Sequence, residues 1–134
     1  MNADDLMIKA HQAAASATTL LGGGDADGAC NRAYYAMFDA ARAALLHSGH
    51  DVGKTHKGVL ALFSEQFVKA GLAPKEIGKS LKKAETFRYV ADYDSDSVDA
   101  DDAYQLVALA QDFVNFVRGE LMPKAPGGDA LPKG

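Results

Sequence analysis

Apolar residues recur at helical spacing along almost the whole chain, and three glycine-bearing breaks and one Asp/Ser-rich turn stretch, Asp92-Tyr93-Asp94-Ser95-Asp96-Ser97, cut that pattern into five segments. No stretch shows convincing strand alternation, and there is no internal repeat. Asp4 and Asp5 are placed to open a first helix, which Gly22-Gly23-Gly24 stops. A second is expected from about Asp27 to Leu46, followed by a loop bracketed by Gly49 and Gly53. Thr55 can cap a third, which carries Val59, Leu62, Phe63 and Phe67 before Gly71. Pro74 suits the first turn of a fourth, with Ile77, Leu81, Ala84 and Phe87 on its buried side. Asp99 can cap a fifth, which carries Leu106, Val107, Phe113 and Val114. Helices with short connections and no strands predict an all-α, up-and-down bundle of about five helices.

With 134 residues the chain is bounded to one domain with a core of its own. The bundle is expected over residues 1–122, and the Pro/Gly-rich stretch 123–134 as a flexible tail. Cys30, the one cysteine, excludes an internal disulfide framework and a cysteine-based zinc cage. A formal net charge of −4 argues against a broad basic surface for duplex nucleic acid, but not against a local basic patch. No apolar run is long enough to span a bilayer, and Met1-Asn2-Ala3-Asp4-Asp5 is acidic where a secretory signal is basic. The expected location is therefore the cytoplasm, without membrane contact.

Three short patterns resemble known chemistry and fail on spacing. Gly53-Lys54-Thr55 looks like the end of a phosphate-binding loop, but the required earlier glycine is Ser48 and a helix precedes it. Asp92, Asp94 and Asp96 alternate like a calcium loop, but its glycine and its bidentate glutamate are replaced by Ser97 and Ala103. The four histidines, at 11, 47, 50 and 56, share no metal-ligand spacing on one helix, so no metal site is expected.

Two groups remain. His56 opens the third helix, where the positive end of the helix dipole disfavours imidazolium, so it would be a neutral proton acceptor or a capping residue. Asn31, Tyr34, Tyr35 and Phe38 lie at i, i+3, i+4 and i+7 on one face of the second helix. An aromatic stripe is normally core, but an amide and two phenols need hydrogen-bond partners if buried. The natural partner is Arg88-Tyr89-Val90-Ala91-Asp92-Tyr93, in which Arg88 and Asp92 can pair at i, i+4.

Three blocks, Asn31-Arg32-Ala33-Tyr34-Tyr35-Ala36-Met37-Phe38, Thr55-His56-Lys57-Gly58-Val59 and Arg88-Tyr89-Val90-Ala91-Asp92-Tyr93, together resemble the HEPN family in its small stand-alone bacterial and archaeal branch. The resemblance implies a helical bundle, commonly a homodimer, often paired with a minimal nucleotidyltransferase as toxin and antitoxin. It also implies a metal-independent ribonuclease without cofactors, in which an arginine and, a few residues on, a histidine do the chemistry. Arg88 matches that arginine. Tyr93 stands where the histidine is expected, and a phenol with a pKa near 10 is a poor base at neutral pH. By analogy, Tyr93 is similar to a tyrosine that partner nucleotidyltransferases modify with AMP.

The resemblance implies two functions. One is a toxin-type protein acting on RNA, with Arg88, His56, Asp92 and Tyr93 as its catalytic group and Asn31, Tyr34 and Tyr35 binding. The other is a non-catalytic module that binds a nucleotide or docks a nucleotidyltransferase. Outside the family, the same residues fit a helical dimerisation adaptor.

Overall fold

The computed structural model describes residues 2–50, 52–53, 55–94 and 97–123. Five helices run in sequence: α1 (Ala3–Gly22), α2 (Ala26–His47), α3 (His56–Phe63), α4 (Lys75–Tyr93) and α5 (Ala100–Phe116). Among the described residues there is no strand, so the chain is an all-α bundle. Beyond Pro123, the expected tail lies outside the described residues, as do Lys54 of the Gly53-Lys54-Thr55 run and Asp96 of the alternating aspartates.

Local chemistry sets where each helix starts. Asn2 accepts the Asp5 backbone N–H at 2.8 Å while the Asp5 carboxylate accepts that of Asn2, so a capping box opens α1. Asp25, not Asp27, caps α2 by accepting the Gly28 N–H at 2.8 Å. Asp27 instead accepts the Val98 N–H at 2.8 Å and ties the segment before α5 onto α2. Thr55 and Asp99 cap α3 and α5. Pro74 stands one residue outside α4, as its cap, rather than within the first turn. Gly49 and Gly71 end α2 and the third helical segment with φ of 87° and 82°, a left-handed conformation that side chains resist.

The hydrophobic spacing carries the third and fifth helices onward but does not show that their ends are π-helical. A π-helical turn, Ser64–Val68, prolongs α3, and another, Val117–Leu121, prolongs α5. Each widens its helix by a residue and changes the direction of the side chains beyond it.

α2 is the central helix, packed against α1, α3, α4 and α5. It packs most extensively on α1, and both helices bury alanines, Ala10, Ala13 and Ala17 on α1 and Ala29, Ala33, Ala36 and Ala40 on α2. Alanine allows close approach and loses no side-chain entropy on burial. Larger groups fill the space towards α3 and α5, where the Phe63 ring lies 5.1 Å from Phe67 and 5.3 Å from Phe113. Cys30 is buried in the core; burial and then Asp27 and Asp102 push its thiol up to about 11, so it stays protonated. No helix among the described residues is long and apolar enough to cross a membrane.

Candidate functional site

The polar face of α2 meets the start of α3 and the last turns of α4. Thr55 accepts the Gly58 N–H and fixes His56 as the first residue of α3. Tyr34 is completely buried, and its Oη is 2.9 Å from His56 Nδ1. Phe38 lies 4.6 Å from the imidazole ring, Tyr34 stacks on it at 5.4 Å, and Tyr35 meets it edge-on at 5.7 Å. Three aromatic rings therefore set the orientation of one imidazole.

Arg88 reaches the same tyrosine from α4. Its Cζ lies 5.1 Å from the Tyr34 ring centroid, a cation–π contact. One guanidinium nitrogen donates to Asp92 at 3.2 Å, and Asn31 Nδ2 donates to the same carboxylate at 3.2 Å. Arg88 Nε is buried without a partner among the described residues. Arg32 donates to Asn31 Oδ1 and covers the Tyr35 ring at 5.3 Å. Asn31, Arg88 and Asp92 are thus one hydrogen-bonded group, joined to His56 through Tyr34.

This packing sets the electrostatics. Burial, and next the Arg88 charge, hold His56 below its ordinary value, although Glu85 opposes them. A neutral imidazole results at pH 7, with its Nδ1 engaged by Tyr34 and its Nε2 free of hydrogen bonds among the described residues. Burial and then Glu85 push the Tyr34 phenol well above its usual range, so it remains protonated.

Tyr93 is not part of this group. It is 68% exposed at the end of α4 and packs 4.9 Å from Tyr89, itself 61% exposed. Glu85 contributes to the site without having been expected there, and Phe38, expected only as part of the aromatic stripe of α2, packs on the imidazole. Glu85 is i−3 from Arg88, a spacing that could have signalled it, whereas the contact of Phe38 with His56 is between segments far apart in the chain. No cluster of three histidine, cysteine or carboxylate ligands exists among the described residues.

The match to the HEPN domain extends over residues 3–120, nearly the whole bundle and all three sequence blocks. The chain belongs to the HEPN family. It is 36% identical over 114 residues to a UPF0332 protein of Gloeobacter violaceus, an alignment covering 84% of this chain and 90% of that one. It is also similar to two Methanocaldococcus jannaschii proteins, each named "Putative toxin". One is 33% identical over 90 residues, covering 67% of this chain and 66% of the relative. The other is 29% identical over 122 residues, covering 90% and 82%.

Proposed function

We propose that this HEPN protein is a toxin that cuts RNA without a metal ion, acting in the cytoplasm as a homodimer restrained by a minimal nucleotidyltransferase. The names of the two archaeal relatives support the toxin class. The observation that carries the chemistry is Tyr34, which anchors one arginine and one neutral histidine on a single buried ring.

RNA transesterification needs an acceptor for the 2′-hydroxyl proton and a cation for the phosphorane. His56 is the acceptor, through Nε2. The 2′-oxygen attacks phosphorus, the P–O5′ bond breaks, and the leaving 5′-oxygen takes a proton from solvent while His56 returns its own. The ends are a 2′,3′-cyclic phosphate and a 5′-hydroxyl. Arg88 faces the charge that develops on phosphorus. Held by Asp92 and the Tyr34 ring, it loses little freedom at the moment of reaction. Asn31 positions Asp92, and Tyr35 helps to hold the imidazole.

A non-catalytic nucleotide-binding or docking module is the second reading. Tyr93 favours it, because a tyrosine so exposed is open to nucleotidyl transfer and leaves the expected histidine position without a base. Growth separates the two. Expression without a partner slows growth under the toxin reading, and Arg88→Ala removes the effect by lowering cleavage about 100- to 1,000-fold. Harmless expression of a folded wild-type protein supports the docking module.

A further inference from the structure

A groove of about 740 Å³ runs between α3 with its π-helical turn and α4. Its floor is apolar, formed by Leu60, Phe63 and Leu81. Its rim carries Lys57, Lys69, Lys75, Lys79 and Lys82, all exposed, against only Glu65 and Glu85. On a chain of formal net charge −4, a concave wall with five lysines is a local reversal of sign. The groove ends beside the site, since Lys57 is the residue after His56 and Glu85 lies one turn before Arg88.

The outer face of α4 continues the line. Lys75, Lys79, Lys82, Thr86, Tyr89 and Tyr93 are spaced by four, three, four, three and four residues, a single stripe about 27 Å long. Its lysine end lines the groove, and its other end is the exposed pair Tyr89 and Tyr93, rings 4.9 Å apart. A strand needs cations to track its phosphates and aromatic faces for its unpaired bases, and both lie in order on this stripe.

We propose that the lysine groove and the Tyr89–Tyr93 pair together form the path of a single RNA strand along α4, with the groove end of that path beside the Arg88–His56 site. The proposal rests on the RNA-cutting reading for its substrate, and it assigns the strand-binding surface. A duplex is excluded as the intended ligand because its bases are not free to stack on the tyrosines. Charge complementarity selects the strand over an apolar helix from a partner.

The test is the binding of a fluorescent single-stranded RNA to the purified chain, read by anisotropy across a salt series. With five lysines engaged, the slope of log affinity against log salt is about −3.5, and Lys79→Ala with Lys82→Ala brings it to about −2. Tyr89→Ala weakens binding about 5- to 100-fold and leaves the slope unchanged, because stacking releases no ions. Circular dichroism confirms that these surface variants are folded. Wild-type binding with an unchanged slope and affinity in the double lysine variant overturns the proposal, whether or not RNA is cut. Absence of any RNA binding overturns it as well. If Lys79→Glu with Lys82→Glu instead converts a wild-type dimer to monomers without affecting RNA, a second copy occupies the groove and the proposal falls. Arg88→Ala separates the two readings: it binds RNA through the groove but does not cut it. RNA bound on the groove yet never cut by the wild-type chain refutes the ribonuclease and keeps the path.

Discussion

Tyr34 joins groups that are far apart in the sequence. Its ring serves Arg88, its hydroxyl serves His56, and the fully buried phenol stays protonated throughout. The chemical consequence is in the His56 titration. An unfolded chain protonates this residue near 6.5, while the folded one does so only at lower pH. Above 6.5 both are neutral and the shift contributes nothing. As pH falls below 6.5 the unfolded state gains protons first, so stability declines until the folded value has been passed. NMR titration of the His56 ring should give a midpoint below 6.5, and Arg88→Ala should raise it by removing the guanidinium's repulsion. A midpoint that Arg88→Ala leaves unchanged contradicts the electrostatic coupling. Much of this group was legible in the sequence. Asn31, Tyr34, Tyr35, His56, Arg88 and Asp92 stand out as polar residues on otherwise apolar faces. That Tyr34 is the hub was not, because helical spacing places residues on a face without saying which hydroxyl meets which ring. Tyr93 was expected beside Arg88 and instead faces outward with Tyr89, since it lies five residues beyond Arg88 and so on another side of α4.

The start of α3 matters more than its length. Eight α-helical residues gain little from propensity alone, so the Thr55 cap and the packing of Val59 and Phe63 hold it. Gly58 leaves the capping hydroxyl its space, for a Cβ there would stand 2.6 Å from Thr55 Oγ1. Thr55→Ala should cost about 1 kcal/mol in chemical denaturation. RNA cleavage should fall too, because His56 is the next residue and its ring is aimed by that first turn. Unchanged stability and activity would mean that the aromatic rings alone place the imidazole. Helix number and approximate limits could be read from the breakers and the period of apolar residues. Asn2 and Asp25 were missed as caps because Asp4, Asp5 and Asp27 are equally good candidates by type, and only backbone geometry chooses among them. The π-helical turns left no mark, since one extra residue in a single turn does not disturb a stripe of this length.

For the molecule as a whole, an acidic bundle gathers five lysines on the groove between α3 and α4 and holds a neutral, half-buried imidazole beside one end of it. Membership of the HEPN family accounts for the helical scaffold. The work assigned to Arg88 and His56 rests on the geometry around Tyr34. The most direct test is end-group analysis of a single-stranded RNA incubated with the purified chain in the presence of a metal chelator. The wild-type chain should release fragments ending in a 2′,3′-cyclic phosphate, and Arg88→Ala and His56→Ala should each lower the rate about 100-fold or more. Intact RNA with a folded wild-type chain, or cleavage that persists undiminished in Arg88→Ala, would contradict it.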